Sequence, residues 1–242
     1  QHLHGTTEML TAVLSCFAAA AVAPWIHRHL RGAASWALAL VPLALTAYFA
    51  TLVPEITAGG VVHGSRPWLP GLGIALAFRL DGLSLLFALL VTGIGTLVVL
   101  YSGAYLAGHP RLGRFYLLIL AFMGAMLGLV VADDLIVLYV FWELTSIASY
   151  LLIGFDHSRA AARRAALQAL LVTAFGGLAL LAGSILIERV VGSFQLSTVL
   201  LHGDTVQSGP LYLPILLLVL LGAFTKSAQF PFHFWLPGAM EA

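Results

Sequence analysis

The chain has 242 residues, 61% of them hydrophobic and 9% charged, and its mean hydropathy is +1.01. Those values exclude a water-soluble domain of this length, which could not clothe its surface with so few polar side chains. A formal net charge of +1 leaves no basic footprint for nucleic acid, the nine histidines fall without metal-ligand spacing, and the one cysteine, Cys16, has no internal disulfide partner and reads as a packed thiol.

Apolar runs long enough to cross roughly 30 Å of hydrocarbon lie at residues 10–26, 33–53, 83–106, 115–132, 135–155, 165–187 and 211–236. No basic segment precedes the first and no small-residue cleavage site follows it before Pro24-Trp25, so it reads as a true span rather than a secretory signal. Continuous apolarity, without alternation, excludes an outer-membrane barrel. The connections after spans one, three and five carry Arg28 and Arg31, Arg111 and Arg114, and Arg159, Arg163 and Arg164, whereas the opposite side has Arg66, Arg79 and Arg189. By the positive-inside rule the N-terminus is expected outside and the end of the seventh span in the cytoplasm. The connection at residues 54–80 becomes an extracellular loop, and its alternation with Pro and Gly suits either a short hairpin over the membrane face or an irregular loop. The expected fold is an all-α polytopic membrane helix bundle of about seven transmembrane helices. It forms a single membrane domain over residues 1–242, and the LPGAMEA ending suggests part of a longer polypeptide.

Most acidic residues fall at span ends, but Glu143 lies two residues from the middle of the fifth span, in FWELTSIASYLLIGF. Water at either surface is then about 12–15 Å away, beyond snorkelling reach. The chain's single lysine, Lys226, sits in the seventh span, and all other basic side chains apart from histidine are arginine. A mid-span charge costs several kcal/mol unless it is neutralised, paired or solvated, and such groups usually mark ion or proton pathways. Burial disfavours the charged form of each group and an opposite charge favours it, so both can exchange protons near neutrality. A static ion pair holding helices together is the alternative.

Ser146 and Tyr150 share the Glu143 helix face, and Ser149 is offset but within reach of a water file. Their hydroxyls either extend a hydrogen-bonded chain or bond back to their own helix. Pro231 lacks an N–H and disfavours helical geometry at Phe230, so the seventh helix is expected to break or kink between Lys226 and Pro231. A broken helix lining an ion site and a plain kink fit this equally. His233 beyond the break either continues a relay or packs at the interface among Phe232, Phe234 and Trp235. In the sixth span Thr173, Gly176 and Gly177 favour close helix packing over ion coordination.

The strings DGLSLLF, IGTLVVLYSGAYL, FWELTSIASYLLIGF and TKSAQFPFHFWLPGAM resemble the large antiporter-like subunits of Mrp cation/proton antiporters, respiratory complex I and membrane-bound hydrogenases. The similarity runs from about residue 78 onward. It implies that Glu143, Lys226 and His233 belong to a central hydrophilic axis; Ser146, Ser149, Tyr150 and Thr173 are, from their helix positions, the candidates for its surroundings. The longest antiporter-like subunit of complex I carries an arginine and an aspartate where this chain has Ala174 and Gly177 in VTAFGG, whereas GGLALLAG looks like the large A-type subunit of an Mrp antiporter. ADDL at residues 132–135 departs from the usual ADNL, leaving Asp134 without an assigned role.

The resemblance therefore implies a component of a Na⁺/H⁺ antiporter in a bacterial cell membrane, relaying protons through Glu143, Lys226 and His233. Other membrane subunits, Na⁺, H⁺ and the bilayer are its expected partners, without cofactor, metal or nucleic acid. No nucleophile–base arrangement, phosphate-binding glycine loop or cysteine cluster points to an enzyme. The alternatives are a redox-coupled proton-pumping subunit of complex I or a hydrogenase, against which Ala174 and Gly177 argue, and a non-transporting scaffold.

Overall fold

The computed structural model describes residues 2–241, with side chains from residue 5 to residue 240. Its helices are α1 His2–Leu30, α2 Ala34–Thr51, α3 Val53–Thr57, α4 Gly82–Tyr105, α5 Leu112–Val131, α6 Leu135–Ile153, α7 Ala160–Val191, α8 Leu196–Leu201, α9 Gly203–Ser208, α10 Tyr212–Lys226 and α11 Trp235–Glu241. Strand β1, Val62–Leu69, pairs with β2, Ile74–Leu80, around a turn in which Gly73 takes a left-handed φ of 69°.

Each apolar run of the sequence carries a helix. Among the described residues, five helical stretches are long and apolar enough to cross a membrane. They are Gly5–Thr57, which contains α1, α2 and α3 in series, then Gly82–Tyr105, Leu112–Val131, Leu135–Ile153 and Ala160–Val191. Tyr212–Lys226 is apolar but shorter. Helices α1 and α7 overrun their apolar runs at both ends, because charged and small residues flanking the apolar stretch hold helical geometry as well as apolar ones do.

The chain divides into two compact units: the residues up to Ser65 with Phe78–Ala132, and Arg66–Ala77 with those from Asp133 onward. In the first, α1 packs on α2 and α5, and α4 on α2 and α5. Small residues set the spacing, as expected where lipid supplies no hydrophobic drive between helices. A Cβ on Gly124 would come within 3.0 Å of Cys16, whose thiol is fully buried as expected. Buried Thr92 and Thr96 each donate to the carbonyl four residues earlier at 2.8 Å, so they need no partner on another helix. Asp81 caps α4 in a reciprocal box: its carboxylate accepts the Ser84 N–H at 3.1 Å while the Ser84 hydroxyl accepts the Asp81 N–H at 2.7 Å.

In the second unit, α7 runs against α6, α10 and α11. The ADDL motif anchors it. Asp134 caps α6 by accepting from Ile136 N–H at 2.8 Å and Val137 N–H at 3.1 Å, and its other oxygen accepts from Ala75 N–H of β2 at 3.1 Å. Asp133 accepts from the Ser197 N–H and hydroxyl at 2.9 and 2.7 Å, tying in α8. Both aspartates are only 1% exposed, a burial that such dense donation to a carboxylate offsets.

The expected seventh span is two helices, α10 and α11, with a 3₁₀ turn at Phe232–Phe234 before the second. Helix α10 stops at Lys226, five residues ahead of Pro231, because the chain turns left-handed at Ala228, φ 51°. Gln229 N–H then reaches back to Phe224 O at 2.9 Å in a Schellman-type closure. Alanine in place of the usual glycine there costs on the order of 1 kcal/mol. The Thr225 carbonyl takes the Trp235 indole N–H at 2.9 Å, so a side chain from beyond the break completes the helix end.

Candidate functional site

Lys226 closes α10, where a cation is favoured by the helix dipole. Its half-buried side chain leaves its own helix for α6. Nζ donates to Ser146 Oγ at 2.6 Å and to the Trp142 carbonyl at 3.2 Å, and it sits 5.4 Å from the centre of the Trp142 ring. Ser146, 2% exposed, in turn donates to the Trp142 carbonyl at 3.2 Å. The Ser146 hydroxyl thus bonds back to its own helix and accepts from the lysine.

Glu143 lies on the same helix, one turn before Ser146, and is half-buried. Among the described residues no Glu143 oxygen lies within 4.0 Å of Lys226 Nζ, so the two groups do not form a direct ion pair. Glu143 Oε1 is buried and accepts no hydrogen bond among the described residues. It points at the backbone of α7 beside Gly177, where a Cβ would overlap it.

The remaining expected residues are placed differently. Thr173 is 5% exposed and donates to Ala169 O at 2.8 Å on its own helix. Ser149 and Tyr150 are half-buried, and no side-chain hydrogen bond of theirs occurs among the described residues. His233 lies on the 3₁₀ turn, exposed, and stacks on Phe230 with ring centres 5.7 Å apart. The structure thus gathers Glu143, Ser146 and Lys226 at the meeting of α6, α7 and α10, and sets His233 past the break. Sequence reasoning missed Trp142, although its position four residues before Ser146 puts it on the same helix face. It also missed Thr225, whose hydroxyl fits against Gly176, a pairing that depends on the register of two helices. No cluster of His, Cys, Asp or Glu able to hold a metal occurs among the described residues.

Residues 132–242, which carry the whole of this site, match the family described as NADH:quinone oxidoreductase/Mrp antiporter, TM. Residues 68–116 match the N-terminus of chain 5 of NADH-ubiquinone oxidoreductase (complex I). The A subunit of the Na(+)/H(+) antiporter of Alkalihalophilus pseudofirmus is 50% identical over 238 residues, which is 98% of this chain and 30% of that protein. The chain is Mrp antiporter A-subunit-like. It corresponds to the N-terminal portion of such subunits, within the superfamily of complex I antiporter-like subunits. The A/B subunit of a probable K(+)/H(+) antiporter of Rhizobium meliloti is 49% identical over 230 residues, 95% of this chain and 23% of that protein. Among solved structures, the Mrp complex from a Dietzia species has a chain that superposes with a TM-score of 0.86 at 37% identity, over 97% of this chain and 25% of that one. Respiratory complex I from Thermus thermophilus gives 0.74 at 30% identity, over 96% and 46%. The chain thus spans less than a third of the curated relatives it matches, and those relatives are antiporter subunits, transporters rather than enzymes.

Proposed function

We propose that this chain is the proton-handling portion of a monovalent cation/proton antiporter subunit, with sodium as the exchanged ion, working in a hetero-oligomeric complex in a bacterial cell membrane. It crosses the bilayer about seven times as one membrane domain, N-terminus outside, with residues 54–80 as an external loop. The seven-to-three distribution of arginines between the two sets of connections supports that orientation.

The observation that carries the reading is the reach of Lys226 from the broken end of α10 to Ser146, one turn from Glu143. Glu143 exchanges a proton between carboxyl and carboxylate beside the Lys226 charge. Because Lys226 is held by a hydroxyl and a carbonyl instead of the carboxylate itself, the Glu143 oxygens stay free to take and release protons. His233 continues the relay past the break. Ser149, Tyr150 and Thr173 shape its surroundings.

The test uses everted vesicles bearing the complete antiporter complex, energised so that a pH gradient forms, with its collapse on adding sodium or potassium followed by a fluorescent pH probe. Glu143→Gln and Lys226→Ala should each slow the collapse by about a hundredfold, the scale of losing a proton-transfer group, at normal complex levels. Transport at the unaltered rate in either variant would sink the assignment. The Thermus complex I likeness keeps a redox-coupled pump as second reading. Flavin, iron–sulfur or nickel–iron subunits co-purifying with the chain would favour that pump.

A further inference from the structure

Helix α7 carries two adjacent glycines where it meets both α6 and α10. A Cβ on Gly176 would overlap the Thr225 hydroxyl, and Thr225 is the fully buried neighbour of Lys226. A Cβ on Gly177 would overlap Glu143 Oε1, and would stand 3.1 Å from the carboxyl carbon and 3.6 Å from Trp142 Cδ1. The flanking Phe175 and Leu178 are 58% and 61% exposed, so the doublet is the part of this turn that faces inward. Each glycine therefore makes room for one member of the pair, Gly177 directly and Gly176 through the residue beside it.

Among the described residues nothing donates to the buried Glu143 Oε1. Shape fixes it instead. We propose that Gly177 is a positioning residue for Glu143: the missing side chain forms the recess in which the carboxyl seats, and so sets its separation from Lys226, which Ser146 and Trp142 hold one turn along the same helix. This rests on the reading of Glu143 as the proton acceptor, and it explains why a glycine suits position 177 better than alanine, the stronger helix former. Plain helix packing makes a different claim, because it requires a small residue at 177 whatever stands at 143.

The experiment builds Gly177→Ala, Glu143→Asp and the double variant into the complete complex. Three quantities are read: assembly on native gels, the rate at which a hydrophobic carbodiimide modifies Glu143 in unenergised membranes by peptide mass spectrometry, and cation-driven collapse of the pH gradient. In Gly177→Ala the displaced carboxyl should be modified several-fold faster, and transport should fall by about tenfold to a hundredfold, the cost of misplacing a reacting group by roughly 1 Å. The aspartate of the double variant is shorter by one carbon, about 1.5 Å, and escapes the alanine methyl, so transport should recover above that of Gly177→Ala. Unchanged modification of Glu143 in Gly177→Ala overturns the proposal. If that variant does not assemble, assembly must return in the double variant, and failure to return overturns it equally. Faster modification together with normal transport in Glu143→Gln would remove the relay and leave the recess standing.

Discussion

Four glycines, two in each unit, leave gaps that different groups fill. Around α4 and α5, Gly95 leaves space for the end of Met123, and Gly124 faces Cys16 and Phe17, so the missing side chain lets apolar helices close up. Around α7, the missing side chains admit a hydroxyl and a carboxyl. Buried Thr92 and Thr96 of the first unit are satisfied by their own helix. In the second unit Lys226 donates to another helix, and Glu143 Oε1 accepts nothing among the described residues. What fills the gap therefore differs from site to site: apolar side chains at Gly95 and Gly124, a hydroxyl at Gly176 and a carboxyl at Gly177.

Helix caps give the same contrast and the largest stability effects. Asp134 is buried and holds three backbone donors, two on α6 and one on β2. Replacing it by alanine removes the cap and strands Ala75 N–H, a loss of about 2–4 kcal/mol. Heating of the purified complex should show it as much earlier loss of the monodisperse species, and Asp134→Asn, which keeps an acceptor for the cap, should lose less. Equal behaviour of Asp134→Ala and the unaltered complex would dissolve the distinction between the two units.

Asp81 caps α4 with a partly exposed carboxylate and should matter less, about 1 kcal/mol for Asp81→Ala near neutral pH. Partial burial pushes its carboxyl up, but donation from the Ser84 N–H and hydroxyl, the Arg79 guanidinium 3.4 Å away and the Leu83 N–H outweigh this and hold it below the usual carboxylate range. A group lowered in the folded state contributes fully above its unfolded value, about 4, and stops contributing as pH falls through the folded one. The stability gap between the complex and Asp81→Ala should therefore be constant above about pH 5 and narrow below about pH 4. A gap that stayed constant into strong acid would show that the aspartate acts through packing alone.

Hydropathy revealed the apolar runs because span length is set by bilayer thickness, and Glu143 and Lys226 stood out because charge is rare there. Pro231 announced the break, yet the helix end lies at Lys226, where a left-handed Ala228 closes it. Nothing in the alanine's identity forecasts that conformation. The contact of Lys226 with Ser146 needs the register between α6 and α10, and the Gly177 recess needs the register between α6 and α7. Neither register is written in the periodicity of a single helix. Asp134 had no assigned role in the sequence because its third donor, Ala75 N–H, comes from 59 residues away.

The smallest effect is the most direct check on the contrast between the units. Gly95→Ala adds the same methyl as Gly177→Ala, and the space it would enter is likewise occupied, here by Met123 Cε, with Sδ at 3.1 Å and Cγ at 3.7 Å. Methionine is unbranched, with three rotatable bonds, and its end can swing aside at little cost, while alanine regains up to about 1 kcal/mol of helix propensity over glycine. The two terms nearly cancel, so thermal stability should move by less than about 0.5 kcal/mol, with carbodiimide modification of Glu143 and transport both unchanged. A Gly95→Ala complex that lost transport as severely as Gly177→Ala would mean that the helices tolerate no added methyl at all. Loss at position 177 would then reflect packing, and the identity of the group filling the gap would no longer separate the two positions.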